Sequence, residues 1–422
     1  MVNQISGGFR SRLDSSSSIT DNTFIEIFMY LPLTSIYRFR SVSKVWFSLL
    51  SDPNFITKWF QFNNKSLPWL QYHTVRLTFP FSDESPFQFR NSYPDLHSRF
   101  ISRNEHFFSF EFLINEIPLE GAELYLLGSS NGLVLCFSVK NEDYSSEERR
   151  YHVYNPLTQK WVSIPLLPRS RGSRFAVSGI FCEFSLSASC CYKVVRIPIF
   201  DWPSKIFYVD VFCSDSGEWR NFEVSCDQDV EWFECDNENV VTTLNGVLYW
   251  MERSNRMLVY NMNQNNESDG HQCSLIDLPD ADISDNEFGT LTSRILGESE
   301  GRICYASTRV TNRKIIVSVW VLDDDNWQML HKDISIDKTL TEIYSLIGDV
   351  GKVRILGFNP QDSNIVLLGR KHWVWEFNIE TGSFEELDHS SLLTNRHMNV
   401  TGKMVLPFVL KVMPTKFSPS SW

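Results

Sequence analysis

Between Phe24 and Phe60 the apolar residues recur at helical spacing, whereas from about residue 67 they alternate in short runs punctuated by Asn, Asp, Gly and Ser. The change of period predicts a small helical segment followed by a long β region. Phe24, Ile27, Phe28 and Leu31 fall at i, i+3, i+4 and i+7, which sets four apolar side chains on one helical stripe. Pro32 ends that helix. Thr34 is placed to cap a second helix carrying Ile36 and Phe39, and Ser43 to cap a third carrying Trp46, Leu49 and Leu50. Asp52-Pro53 opens a fourth with Phe55, Ile56, Trp59 and Phe60, the proline sitting where no N–H is needed. A segment this short buries only about 60% of its unfolded surface in good cases. So many large apolar groups cannot all face one internal core, and the surplus predicts an interface with a partner.

The β region repeats. A hydrophobic strand, a polar turn and a large apolar residue recur as Val153 to Trp161, Val209 to Trp219, Leu258 to Leu275, Val319 to Trp327 and Trp375 to Phe384. Positions 161, 219, 275, 327 and 384 are 58, 56, 52 and 57 residues apart, the mark of one structural unit repeated. Between them lie more apolar strands, often opened by glycine: Ser130 to Phe137, Tyr192 to Ile197, Leu244 to Trp250, Glu300 to Tyr305 and Val353 to Phe358. A buried pair and a more polar pair of antiparallel strands per unit, repeated about an axis, predict propeller blades. Five blades are visible between about 128 and 387. Residues 67 to 127, with a strand expected at Phe107 to Leu113, and the C-terminal run Lys403 to Lys411 are left over. They are expected to combine into a further blade, because unpaired first and last sheets would expose long hydrophobic edges. The expectation is six four-stranded blades, or seven if residues 67 to 127 supply more strands.

Composition narrows the function. The net charge of -12 argues against nucleic acid as the main partner, since phosphate would be repelled without a local basic patch. No stretch reaches the roughly 18 apolar residues of a membrane span, and the serine-rich start, Met1 to Ser18, has no apolar signal core. An intracellular protein, nuclear or cytoplasmic, is expected. Nine scattered cysteines without a C-x-x-C pair suggest neither a disulfide framework nor a zinc site. The adjacent Cys190-Cys191 is read as two side chains on opposite faces of a strand. Acidic clusters at Asp229 to Glu238, Asp280 to Glu287 and Asp323 to Asp325 read as solvated loops.

Candidate chemistry is sparse. Gly297-Glu298-Ser299-Glu300-Gly301 matches the G-x-S-x-G nucleophile pattern, which needs a helix after the serine, yet a strand, Arg302 to Tyr305, follows. Nine dispersed histidines offer no H-E-x-x-H spacing. No catalytic residue, metal ligand or cofactor is predicted. Trp161, Trp219, Trp250, Trp327 and Trp375 sit at repeat positions and are read as blade packing rather than ligand stacking.

The string from Tyr30 to Phe55, with Leu31-Pro32, Arg38-Phe39-Arg40, Val42-Ser43-Lys44, Trp46 and Asp52-Pro53-Asn54-Phe55, resembles the F-box in its plant form. The usual additional leucine-proline pair before the first helix is replaced by Ile19-Thr20-Asp21. Behind it, Asn155 to Trp161, Tyr192 to Val195 and Leu244 to Trp250 are similar to the F-box-associated, kelch-like propeller of plant F-box proteins, without the double glycine of true kelch repeats. The resemblance implies a tail over 1–18, an F-box over 19–62, a propeller over 67–412 and a C-terminal tail over 413–422. It also implies a non-catalytic adaptor of an SCF-type E3 ubiquitin ligase, bound through a Skp1-like protein to cullin and RING subunits, with an unknown target protein on the propeller. The residues that it places toward or behind the adaptor are Leu31, Pro32, Leu33, Ile36, Phe39, Val42 and Trp46. Two alternatives are an F-box scaffold without a ubiquitination role, and a propeller enzyme or small-molecule receptor. The second would need a convergent polar cluster in the central channel, which the sequence does not show.

Overall fold

The computed structural model describes residues 21–31, 33–63, 69–74, 87–91, 122–140, 150–155, 160–167, 176–184, 190–200, 202–231, 241–252, 255–263, 271–280, 290–311, 314–336, 353–370, 373–386 and 405–409. The chain forms two compact units, Met1–Asn64 and Lys65–Trp422. Among the described residues the first contains four helices, α1 (Asp21–Met29), α2 (Leu33–Arg40), α3 (Lys44–Leu50) and α4 (Pro53–Phe62). The second is all β among the described residues, as the change of hydrophobic period predicts.

Five sheets build the second unit among the described residues: one of three strands, one of eight strands that holds two four-stranded repeats, and three of four strands that hold one repeat each. Strands β1 (Trp69–Thr74) and β2 (Phe87–Asn91) precede the first repeat, β3 (Ala122–Ser130), β4 (Leu133–Lys140), β5 (Arg150–Asn155) and β6 (Lys160–Ser163). The second holds β7 (Ala176–Phe184), β8 (Cys190–Pro198), β9 (Ser204–Cys213) and β10 (Glu218–Val230). The third holds β11 (Thr242–Leu244), β12 (Val247–Met251), β13 (Arg256–Asn261) and β14 (His271–Asp277). The fourth holds β15 (Thr290–Ser299), β16 (Arg302–Thr311), β17 (Lys314–Asp323) and β18 (Asn326–Ser335). The fifth holds β19 (Arg354–Asn359), β20 (Asp362–Arg370), β21 (Trp373–Asn378) and β22 (Phe384–Glu386). Every repeat is an antiparallel meander, with consecutive strands paired. This is a β-propeller.

The leftover segments do combine. The C-terminal strand β23 (Val405–Val409) pairs antiparallel with β1, His73 opposite Val405, and β2 flanks β1 on the other side. Strand β23 also lies beside β19 of the fifth repeat and β3 of the first, so the two ends of the β region meet. The strand expected at Phe107 to Leu113 lies outside the described residues. One boundary differs from expectation. The first repeat begins at Ala122, upstream of the expected start near residue 128. Val353 to Phe358 falls on the first strand of its repeat. The second strand, β20, opens on Asp362-Ser363-Asn364 and so lacks a glycine to announce it.

Local chemistry explains the hairpins. Asn131-Gly132, Asn245-Gly246 and Glu300-Gly301 all have positive φ, the conformation of a two-residue type I′ turn that matches the twist of flanking strands. Each joins the first and second strands of its repeat. At Gly246 (φ +85) a Cβ would also come within 2.4 Å of the Asn263 side chain. The G-x-S-x-G segment is therefore one of these turns, and Ser299 is buried with its Oγ donating to Asn359 O at 2.6 Å.

Apolar seams between neighbouring sheets form the core. Val177, Val195 and Val209 of the second repeat pack with Leu248, Trp250 and Tyr260 of the third. Val317 and Val319 of the fourth likewise pack with Phe358, Val366 and Trp375 of the fifth. The large residues at 161, 219, 275, 327 and 384 all sit on fourth strands and are half-buried. Two of them bond backward to the preceding repeat: Trp219 Nε1 donates to Pro165 O at 2.7 Å, and Trp327 Nε1 to Asp277 O at 2.9 Å. The acidic clusters divide. Asp323–Asp325 is an exposed hairpin turn, whereas Asp280 is buried and accepts from Tyr305 Oη at 2.7 Å. The described part of the cluster at 229–238 runs only through Glu231.

Two buried acids test this packing. Arg196 donates to Asp210 at 2.9 Å within the second repeat, and Asn221 Nδ2 donates to the other carboxylate oxygen at 2.8 Å. Removing one partner strands a buried charge, which costs about 3–5 kcal/mol. Asp210→Ala is therefore expected to lower the denaturant midpoint strongly, and the double variant Arg196→Met/Asp210→Leu to recover most of the loss. Glu376 behaves oppositely. Burial, reinforced by Glu385 and offset by a hydrogen bond from Asn359, pushes its carboxyl up from 4.5 to about 7. A raised folded-state value contributes stability below the unfolded value that is lost as pH rises through the folded one. Glu376→Gln is expected to stabilise the chain at pH 8 by up to about 2 kcal/mol and to be neutral near pH 4, read by unfolding at both values.

Candidate docking surface on the helical unit

Two of the four helices have their starts fixed by local side-chain bonds. Ser43 Oγ accepts from Trp46 N at 3.1 Å and caps α3, and Asp52 accepts from Asn54 N at 2.8 Å and caps α4 with Pro53 in its first turn. Helix α2 begins at Leu33, one residue before the expected cap Thr34, whose side chain lies outside the described residues. Two carbonyls near the end of α1 are satisfied from α4. Trp59 Nε1 donates to Leu31 O at 3.1 Å and Asn63 Nδ2 to Met29 O at 2.9 Å. These bonds clamp the first helix on the last.

Inside the clamp the rings are dense. Phe28 lies at the centre, with ring centroids of Trp46 at 5.2 Å, Phe39 at 5.9 Å and Phe55 at 6.5 Å. Trp46 also meets Phe24 at 5.5 Å and Phe39 at 5.3 Å. Phe28, Ile36, Leu50, Phe55 and Trp59 are buried. That small core is full, and apolar side chains remain outside it: Val42 is 60% exposed, Val45 58% and Phe47 53%. Ile27, Tyr30 and Phe62 are exposed too, Tyr30 and Phe62 packing edge to face on each other at 5.0 Å.

The seven residues placed at or behind an adaptor surface thus fall into groups. Val42 is exposed; Leu31, Phe39 and Trp46 are half-buried; Ile36 is core. Leu33 begins α2, and its side chain, like Pro32 as a whole, lies outside the described residues. Sequence reading missed Val45 and Phe47. Their signal was present, since Val45-Trp46-Phe47 puts three consecutive apolar residues on a seven-residue helix that can turn only one face inward. Basic side chains flank the group. Arg38 and Arg40 end α2, Lys44 begins α3, and the Arg40 guanidinium lies 5.2 Å over the Phe47 ring. On the propeller, exposed apolar side chains occur in the second repeat at Trp202 (81%), Ile206 and Tyr208, the last two on one face of β9.

A capped helical module with exposed apolar side chains, followed along the chain by a β-propeller, defines the class of protein. Residues 17–58 match the F-box domain family, and residues 108–405 match the family described as F-box protein At3g26010-like, beta-propeller. The chain belongs to this family of plant F-box proteins with a C-terminal propeller. It is 27% identical over 379 residues to F-box protein At1g49990 of Arabidopsis thaliana, covering 82% of each chain. It is 26% identical over 311 residues to putative F-box protein At3g23950 of the same plant, covering 70% of this chain and 68% of the relative. It is 24% identical to putative F-box/kelch-repeat protein At4g22430, also from Arabidopsis thaliana, covering 87% and 80%.

Core and surface should separate on substitution. Phe28→Ala is expected to cost about 3–5 kcal/mol of local stability, and Val42→Asp or Val45→Asp less than about 0.5 kcal/mol. Hydrogen exchange over residues 21–63 of the full chain reads both.

Proposed function

We propose that the chain is the substrate-recognition subunit of an SCF-type E3 ubiquitin ligase and performs no chemistry itself. The helical unit binds a Skp1-like adaptor, the adaptor joins it to cullin and RING subunits, and the propeller holds a target protein. The observation that carries this reading is the set of exposed Val42, Val45 and Phe47 on a module whose core is already filled. Covering three such side chains yields on the order of 5 kcal/mol. Association itself costs about 4–15 kcal/mol. The half-buried edges of Leu31, Phe39 and Trp46 and the basic flank must therefore join the contact, so the partner is apolar at its centre and acidic at its rim.

The ligase needs only placement from this chain. Holding a target lysine near the ubiquitin thioester raises its effective concentration, and a rigid propeller bound to a rigid adaptor supplies that without a catalytic residue. The site of action on this reading is the nucleus or cytoplasm.

Co-expression of the full chain with a Skp1-like protein tests the proposal. The two are expected to co-elute on size exclusion, Val42→Asp/Val45→Asp to weaken the complex at least 100-fold while the propeller stays folded, and added salt to slow association. A wild-type chain that elutes alone would overturn the reading. Target capture after proteasome blockade, compared between the full chain and one lacking residues 1–60, then separates a ligase subunit from a scaffold. A ligase predicts partners that accumulate only when turnover stops.

A further inference from the structure

Sulfur and carboxylate converge at one end of the second repeat. Cys191 lies near the start of β8 and Cys213 ends β9, on neighbouring antiparallel strands whose register sets Lys193 opposite Cys213. The hairpin after Cys213 brings Asp215 to the same place. One ligand atom from each of Cys191, Cys213 and Asp215 lies within 4.8 Å of the others. The Cys191 thiol donates to Asp215 Oδ2 at 2.8 Å. The turn is closed behind the second sulfur, where Gly217 N donates to Cys213 O at 2.8 Å. Both cysteines are half-buried and Asp215 is exposed. The three ligand atoms therefore line a shallow position open on one side.

We propose that Cys191, Cys213 and Asp215 form a binding site for a thiophilic divalent cation of the zinc class, with the remaining coordination position open to solvent. Two sulfurs select zinc over magnesium or calcium, which take oxygen ligands. Tetrahedral zinc holds sulfur at about 2.3 Å and carboxylate oxygen at about 2.0–2.2 Å, so atoms already this close need only rotamer adjustment to share one ion. Binding is proton exchange without redox change: the ion takes the place of the thiol protons, including the one Cys191 now shares with Asp215, and these pass to water. The site clamps β8 to the β9 hairpin. Sequence spacing conceals it because the ligands come from two strands rather than one C-x-x-C turn. The other cross-strand pair, Cys226 opposite Cys273 where β10 meets β14, belongs to no such three-ligand group among the described residues and serves as an internal control.

The test is cobalt titration of the reduced, metal-stripped full chain. The expected result is one Co2+ per chain with a thiolate-to-cobalt charge-transfer band and tetrahedral visible bands, displaced by one equivalent of Zn2+. Cys191→Ser/Cys213→Ser is expected to abolish the charge-transfer band, Asp215→Asn to weaken binding at least tenfold while keeping it, and Cys226→Ser to change nothing, each with the wild-type β-sheet circular dichroism. No charge-transfer band in the wild-type chain, or a band that survives in the Cys191→Ser/Cys213→Ser variant, overturns the proposal.

Discussion

A propeller sheet that is apolar on both faces cannot exist alone, and this constraint organises the larger unit. Second and third strands such as β16 and β17 are buried nearly from end to end, so each sheet needs a neighbour on either side. The requirement passes from one repeat to the next until the ends of the β region must meet. They do so where β23 pairs with β1. Main-chain hydrogen bonds between the two ends remove edges that would otherwise template aggregation. Such closure is the most non-local contact in the fold, and contacts of this kind slow folding.

Apolar seams alone would let neighbouring sheets slide, and directional polar bonds at the seams fix their register. The indoles of Trp219 and Trp327 each reach back to a carbonyl of the preceding repeat, giving the repeated aromatic position a geometric reason. Inner strands add bonds in both directions: Thr243 Oγ1 donates back to Ile180 O of the preceding repeat, and Ser299 Oγ forward to Asn359 O of the following one. Buried charges follow a different logic. The pair Arg196 and Asp210 adds little net stability over apolar side chains of the same size, but it tolerates no single loss. At the outer side of the second and third repeats, β10 runs beside β14 in parallel, so two blades share one continuous sheet.

The helical unit solves the opposite problem. Its core is small and quickly filled by Phe28, Phe55, Trp59 and their neighbours, and the remaining apolar side chains stay at the surface. On the function proposed above, that surplus is the surface a partner covers on a module already stable enough to fold.

Much of this was legible in the order of residues. Helical against alternating spacing separated the two units, and the constant step between Trp161, Trp219, Leu275, Trp327 and Phe384 disclosed the repeats. Asn-Gly and Ser-x-x-Trp marked turns and caps, because each depends on a few adjacent residues. The joining of the two ends of the β region could be argued from their unpaired edges, but side-chain meetings between distant segments left no local signal. Sequence could not tell that Ile36 faces inward while Val45 and Phe47 face out, that Asp280 is buried beneath Tyr305, or that Cys191 and Cys213 approach Asp215. Local periodicity determines which element forms and which stripe of it is apolar. Which stripe is covered, and which side chains from separate strands converge, is decided only when the sheets pack, since burial and proximity belong to the assembled fold.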